Sequence, residues 1–232
     1  FDFYNPDRIV IGGETKKSIE ILKDFYSPLI KNKVNVPDEI IVNKDDIPII
    51  ETNLPSAQMI KYGSNAFLAN KVSFINEIAQ ICEKVGANIN DVIYGMGIDP
   101  RIGSNYMQPG PGFGGPCLEK DLMALVELGN FYDLESTFMK AILKRNERQV
   151  ELILDKITSE IKQAGSLITV LGLSFKANTD DIRNSASIKL INLLLKKGYK
   201  VNSYDPKAKY SLQNENYLQF DNLYSYLNKS LI

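Results

Sequence analysis

Histidine is absent from this sequence, so the commonest general base and the commonest zinc ligand are missing. Catalytic arrangements that pair a histidine with serine or cysteine are therefore excluded within this chain. Only two cysteines are present, Cys82 and Cys117, too few and too poorly placed for a disulfide framework. This cysteine usage is typical of a reducing compartment, and it predicts a cytoplasmic protein.

An excess of either charge is also missing, since 27 Lys and Arg residues face 28 Asp and Glu residues and the net charge is −1. Such a chain has no long-range field to attract nucleic acid or an anionic membrane, and we predict neither as a partner. No apolar run approaches the ~20 residues that cross a bilayer. An anionic ligand must instead be held by a few local cations, helix ends or backbone amides.

Apolar periodicity predicts an α/β beginning followed by long helices. A β-branched run at residues 8–12, helical spacing over 15–30 and a strand at 39–43 are typical of the tail of an α/β domain. The predicted helix over residues 55–86 is about twice the usual ~11–12 residues, which indicates a spine that connects domains or builds a dimer. A second long helix is predicted over 134–162.

The last part of the chain has the pattern of a parallel sheet. A buried strand at 167–173, a helix at 188–195 and a strand at 200–204 form the opening of a doubly wound fold. We therefore predict an α/β protein with three regions. They are the tail of a Rossmann-like domain (1–53), a central helical dimerisation region (54–164) and an incomplete C-terminal Rossmann-like sheet (165–232).

Residues 108–121 carry the most informative motif. Gly110, Gly112 and Gly115 satisfy the G-x-G-x-x-G pattern, but no strand precedes them, so we reject a dinucleotide fingerprint. The glycines instead indicate a backbone that approaches a ligand closely.

A cysteine follows this glycine-rich stretch. Pro116 suits the first position of a helix and places Cys117 in the first turn, where the helix dipole favours the thiolate. Asp121 falls four residues later on the same face, where it would orient or activate a water. Composition alone leaves a buried, inert Cys117 equally open. Cys82, on the apolar stripe of the first long helix, is interpreted as a core residue.

Several polar side chains have spacings that suit an anionic ligand or a developing oxyanion. Lys61 and Asn65 lie one helical turn apart and would stabilise an oxyanion together, although a solvated helix flank is the favoured interpretation of these two residues taken alone. Lys176 follows a strand at the sheet edge where parallel sheets bind ligands, and its charge suits a diphosphate. For Lys176, Arg101 and Arg183 alike, an isolated surface cation remains the alternative interpretation.

Taken together, several blocks in register resemble the UDP-glucose/GDP-mannose dehydrogenase family. They span residue 6 to about residue 206 in the family's order. The blocks are residues 6–13, 61–69 with 73–77, 99–103, 112–121 and 172–183.

This resemblance implies an enzyme that oxidises the primary alcohol of a nucleotide sugar to a carboxylate with two NAD⁺. Cys117 would attack the aldehyde to form a thiohemiacetal, which loses hydride to become a thioester that water hydrolyses. Lys61 and Asn65 would stabilise the oxyanions, and Asp121 would position the water. The enzyme would be a homodimer built on the long helix.

The resemblance also implies which residues bind substrate and cofactor. The UDP-sugar would contact Lys61, Arg101 from across the dimer, Phe113, Gly114 and the diphosphate-binding Lys176. Arg183 and Lys120 would bind NAD⁺, and no residue is assigned to a metal.

Three departures from the family bear on these expectations. The N-terminal nucleotide-binding fold and the end of the C-terminal domain are missing, so we expect a chain truncated at both ends and inactive alone. Pro116 stands where many relatives carry Ser, and Glu119 where Pro or Gln is usual. The Lys120–Asp121 pair favours UDP-glucose as substrate. GDP-mannose is the alternative, as is a non-catalytic module that binds nucleotide sugar and dimerises.

Overall fold

The computed structural model describes residues 4–30 and 47–222 of the chain. The chain folds as two compact units, Phe1–Ser64 and Asn65–Ile232. The strand predicted at residues 39–43 lies outside the described residues. The α/β class predicted from the sequence is confirmed in both units, each of which contains helices and a small parallel sheet.

The first unit contains a two-stranded parallel sheet and a helix. Strand β1 (Ile9–Gly12) pairs in parallel with β2 (Ile49–Thr52), and helix α1 (Lys16–Ile30) follows β1. The start of α1 is stabilised by Thr15, whose hydroxyl accepts the backbone N–H of Ser18 at 3.1 Å. Strand β2 was not predicted, because the strand is short and follows a proline at position 48, so its sequence pattern is too weak to indicate a strand.

Helix α2 (Leu54–Val85) is the predicted spine, and its 32 residues confirm the expected length. Its predicted apolar stripe is buried only in part, with Ile75 fully inaccessible while Phe67 is 63% and Phe74 is 45% exposed. The next helix, α3 (Ile89–Gly97), was not predicted from the sequence.

Helices α4 (Leu118–Phe131) and α5 (Thr137–Glu160) complete the helical part of the second unit. The predicted second long helix is confirmed in α5, with ends two or three residues inside the expected ones. A small core joins these helices through Ala69 of α2, Leu122 of α4 and Ile142 of α5, all nearly inaccessible to solvent.

The C-terminal sheet contains three parallel strands in the order β3 (Leu167–Leu171), β4 (Lys200–Tyr204) and β5 (Tyr217–Phe220). Helix α6 (Ala186–Lys196) forms the crossover between β3 and β4, as the sequence predicts. The predicted first strand ends two residues early, at Leu171. Strand β5 was not predicted, since only four residues of a polar segment form it.

Asp205, at the carboxyl end of β4, ties that strand to the segment after β3. One carboxylate oxygen accepts the backbone N–H of Leu173 at 2.7 Å and of Ser174 at 3.2 Å. The other oxygen accepts the N–H of Lys207 at 2.8 Å and of Ala208 at 2.7 Å. Burial alone raises the pKa of Asp205, but these four bonds outweigh it and lower the pKa to about 2.

Replacing Asp205 by Asn is predicted to destabilise the protein at neutral pH. The charged group has a folded pKa of about 2 against 3.8 when unperturbed, so its contribution is present above pH 3.8 and is lost as the pH falls through about 2. That shift corresponds to roughly 2 kcal/mol. Urea unfolding of Asp205→Asn and the parent protein at pH 7 and at successively lower pH measures the difference, which should shrink as acid is added.

Asp221→Asn is the matched control, because the Asp221 side chain is 91% exposed and forms a surface ion pair with Lys209. We expect this control to change the stability far less than Asp205→Asn, because an exposed ion pair is screened by solvent. Equal losses in the two variants, or a loss at Asp205 that does not change with pH, would contradict this account of Asp205.

Candidate active site

A cavity of about 620 Å³ in the second unit brings together several of the predicted site residues. Its walls come from α2, from the glycine-rich loop at residues 108–116, from the start of α4 and from the segment after β3. The predicted residues that line it are Asn65, Phe113, Gly114, Cys117 and Lys176.

Cys117 is exposed and is the N-cap residue of α4, with φ −103° and ψ −57°. The expectation that Pro116 is the first helical residue is wrong by two positions, because α4 begins at Leu118 and Pro116 precedes the cap. The thiol still lies at the helix N-terminus, where the backbone dipole favours an anion. Cys82 is buried on α2, as predicted.

Asn65 and Asp121 lie next to each other below the cavity. The Asn65 amide donates to the Asp121 carboxylate at 2.6 Å, and Lys120 forms an ion pair with the other carboxylate oxygen. Asp121 is completely inaccessible, whereas Asn65 lines the cavity. The carboxylate therefore orients the Asn65 amide and the Lys120 ammonium, a function the sequence did not suggest.

The glycines of the loop allow close contact with neighbouring protein groups. Gly112 has a φ of +100°, and a Cβ placed there would lie 2.5 Å from Oδ1 of Asn146. Gly115 has a φ of +80°, and its Cβ would lie 2.7 Å from the ring of Phe175. Any larger residue at either position would push the loop away from its neighbours.

Lys176 lies just beyond β3 on the cavity wall. Its ammonium stands 5.6 Å from the centroid of the Phe175 ring, close enough for a cation–π contact. The Ser174 hydroxyl donates to the Lys176 carbonyl at 2.9 Å and restrains the turn. The lysine is thus an exposed cation at the ligand-binding edge of a parallel sheet, where the sequence placed it.

Arg183 approaches the same site from the loop before α6. Its guanidinium donates three hydrogen bonds to Asp181, from Nε to Oδ1 and Oδ2 at 3.0 Å each and from Nη2 to Oδ2 at 2.6 Å. This hydrogen bonding and the charge of Asp181 raise the pKa of Arg183, and the nearby Cys117 adds a smaller increase. The backbone carbonyl of Arg183 also accepts the N–H of Gly115 at 2.9 Å.

Five of the predicted site residues are not among those that line the cavity: Lys61, Arg101, Lys120, Asp121 and Arg183. Arg101 has a side chain that is 87% exposed and donates three hydrogen bonds to the Asp99 carboxylate. Its turn is held by Lys71, whose ammonium donates to the carbonyls of residues 102 and 103 at 3.0 and 3.1 Å. Lys61 is exposed on the part of α2 that belongs to the first unit.

The sequence did not single out the amide side chains that hold the loop. Asn146 of α5 bonds to both backbone polar groups of Phe113, and Asn76 and Gln149 bond to Gly110. The sequence gives one indication of this function: these residues are polar although they lie on or beside the apolar stripes of α2 and α5.

Two features are absent from residues 4–30 and 47–222. No cluster of three or more His, Cys, Asp or Glu side chains is arranged there to hold a metal ion. No helix in these ranges combines the length and apolar character that crossing a membrane requires.

Comparison with known proteins identifies the family. The model of the UDP-glucose/GDP-mannose dehydrogenase family central domain matches residues 55–148. The model of the same family's UDP binding domain matches residues 169–230. Together these matches cover more than half of the chain, which therefore belongs to the UDP-glucose/GDP-mannose dehydrogenase family, as its sequence motifs predicted.

Individual relatives support this assignment. The chain is 40% identical to a UDP-glucose 6-dehydrogenase of Rickettsia felis over 96% of its own length and 48% of that protein's. It is 42% identical to a UDP-glucose 6-dehydrogenase of Bacillus subtilis over 90% of its length and 44% of that protein's. A UDP-glucose dehydrogenase structure from Pyrobaculum islandicum matches with a TM-score of 0.87 and 32% identity, over 98% of this chain and 50% of that one. The chain thus spans about half the length of the relatives it matches.

Proposed function

We propose that this chain is the part of an NAD-dependent UDP-glucose 6-dehydrogenase that carries the nucleophile and binds the UDP-sugar. The observation that carries the proposal is the single cavity lined by Cys117, Asn65, Phe113, Gly114 and Lys176. A thiol at a helix N-terminus, an amide donor and a cation at a sheet edge are the groups that a thioester route on a nucleotide sugar needs. Relatives named UDP-glucose 6-dehydrogenase support UDP-glucose as the substrate.

The positions of the side chains suggest how the sugar lies. Lys176, at the carboxyl end of β3, binds the diphosphate, while Phe113 and Gly114 line the pocket of the hexose. This places the primary alcohol carbon towards Cys117. Asn65, held by the buried Asp121, is oriented to donate to the oxygen on that carbon.

The steps that the chain's own residues carry out begin at the Cys117 thiol. The Cys117 sulfur adds to the aldehyde carbon, and the carbonyl oxygen gains a proton to give a thiohemiacetal. Loss of hydride from that carbon and of the hydroxyl proton gives a thioester. Water adds to the thioester, the thiolate leaves, and the carboxylate is released. Asn65 stabilises the oxyanions, as the family resemblance implies also for Lys61, and Asp121 acts through Asn65 and Lys120.

Arg183 and Lys120 would hold the diphosphate of NAD⁺, as the family resemblance implies. Each of these cations is oriented by a carboxylate partner, Asp181 for Arg183 and Asp121 for Lys120. NAD⁺, when bound, accepts the hydride in each oxidation. The remainder of its site belongs to the N-terminal nucleotide-binding domain that family members carry, with residues 1–53 as the end of that domain.

Two NADH are predicted for each UDP-glucose that the intact gene product consumes. Cys117→Ala should reduce formation of the carboxylate on the order of 10³-fold, because the thioester route loses its nucleophile. Absorbance of NADH, with UDP-glucose, GDP-mannose and UDP-N-acetylglucosamine offered separately, measures both stoichiometry and substrate choice.

Cys82→Ala serves as the matched control, since Cys82 is a buried thiol on α2 and should be dispensable for turnover. Absence of NADH with all three sugars would contradict the proposed function. Two NADH from GDP-mannose but none from UDP-glucose would contradict the substrate while leaving the reaction intact.

We further propose that the protein is a homodimer formed through α2, and that Arg101 reaches the substrate of the partner. Phe67, Phe74 and Ile81 recur every seven residues on α2 and remain 63%, 45% and 52% exposed. A row of large apolar side chains on one helix face is typical of a helix–helix interface. The high exposure of Arg101 leaves its guanidinium available to such a neighbour.

Introducing charge on this row should shift the protein towards monomer. Phe67→Glu combined with Phe74→Glu buries two carboxylates in the proposed interface, and we expect the dimer to dissociate at least tenfold more readily. Sedimentation velocity over a range of concentrations measures the change. Gln213→Glu, at an exposed position in the loop between β4 and β5, adds charge away from α2 and should leave the dimer unchanged. A double variant as dimeric as the parent would exclude α2 as the interface.

We also propose a cytoplasmic location and a division into a central region (54–164) and a UDP-sugar-binding region (165–232). Both cysteines are free in the structure, which suits a reducing compartment. The same NADH assay applied to cell fractions locates the activity, and activity confined to the membrane fraction would contradict this proposal.

A further inference from the structure

The glycine-rich loop that carries the site depends on side chains for its backbone hydrogen bonds. Residues 108–116 form neither helix nor strand, so their N–H and C=O groups lack the usual partners. Phe113 is 7% exposed, and its backbone N–H donates to Oδ1 of Asn146 at 2.8 Å. Nδ2 of Asn146 donates back to the Phe113 carbonyl at 3.0 Å. The Asn146 side chain thus hydrogen-bonds to both backbone groups of Phe113, as the backbone of a neighbouring strand would.

A second amide pair holds the beginning of the loop. The N–H of Gly110 donates to Oδ1 of Asn76 at 2.8 Å, and Nε2 of Gln149 donates to the Gly110 carbonyl at 2.7 Å. Gln149 is in turn oriented by Arg145, which donates to its Oε1 at 2.8 Å. Asn146 and Gln149 lie three residues apart on α5, so one helix holds two points of the loop.

Asn146 cannot act by touching the sugar in the site described above. It is not among the residues that line the Cys117 cavity, and it is only 8% exposed. Its contact with the loop is tight, because a Cβ at Gly112 would lie 2.5 Å from its oxygen. Cys117 follows Phe113 by four residues, so a displacement of the loop is transmitted along a short stretch of backbone to the sulfur.

We propose that Asn146 is a positioning residue for Cys117. By fixing the backbone of Phe113, it places the sulfur where it meets the aldehyde carbon. This inference rests on the proposed function. Asn146 therefore supports the second oxidation, which needs the Cys117 thiol, and not the first oxidation, which does not need it. A sulfur misplaced by about 1 Å slows a reaction about a hundredfold.

Asn146→Asp in the intact protein tests the inference. The carboxylate still accepts from the Phe113 N–H, but it loses the donor to the Phe113 carbonyl and faces that oxygen with a like charge. With enzyme in excess over UDP-glucose, rapid mixing resolves the two successive releases of NADH. We expect the second release to slow about ten- to a hundredfold and the first to change less than about threefold. The ratio of the two rates is independent of the fraction of folded protein.

Gln219→Glu is the matched control, because its amide in β5 likewise accepts a backbone N–H, that of Tyr210 at 2.8 Å, and donates to a backbone carbonyl, that of Ala208 at 2.8 Å. It should change neither rate. Gln149→Glu removes the donor to Gly110 and should slow the second release in the same sense, which provides a test if Asn146→Asp folds poorly.

Three outcomes decide whether Asn146 positions Cys117. Selective slowing of the second release in Asn146→Asp and Gln149→Glu supports the inference. Slowing of both releases by one factor, or of neither, overturns it and leaves the proposed function standing. Absence of NADH from the unaltered protein overturns the proposed function, and the inference with it.

Discussion

The pair of hydrogen bonds between the Asn146 amide and the backbone of Phe113 is the interaction on which the rest of the site depends. A loop rich in glycine and proline has little order of its own, because its residues form no ladder and bury few side chains. Helix α5 supplies that order, since Ile142 and Val150 fix it in the core on either side of Asn146. Helix α5 therefore supplies the side chain that holds this wall of the cavity.

The segment after β3, which forms another wall of the cavity, is also held by hydrogen bonds between a side chain and the backbone. Asp205 accepts four backbone N–H groups and fixes the segment that leads from β3 to Lys176. A backbone bond from Gly115 to Arg183 joins the two walls. In the proposed reaction, which has no histidine of this chain to rely on, a thiol at a helix N-terminus and charges held by carboxylates act together, and both arrangements require this fixed backbone.

Long amphipathic segments and strands with alternation could be predicted from the sequence, because their periodicity reflects burial directly. Strand β4 was predicted at its observed bounds, but β5 was not, since its four residues become a strand only by pairing with β4. Cys117 and Lys176 were predicted as site residues from motif and strand position, and both line one cavity. Asn146 was not, because an asparagine on a helix reveals its partner only when the distant loop is in place. The exposure of Phe67 could not be predicted either, because it depends on which helices pack against α2, and apolar periodicity does not specify the packing partner.

The most direct measurement is a crystal structure of the intact protein and of its Asn146→Asp variant, with UDP-glucose bound to both. The account predicts that α4 and α5 superpose while the loop and the Cys117 sulfur move by about 1 Å away from the sugar carbon that bears the primary alcohol. A sulfur that keeps its place in the variant, with the loop unchanged, would contradict the claim that the Asn146 amide positions the nucleophile.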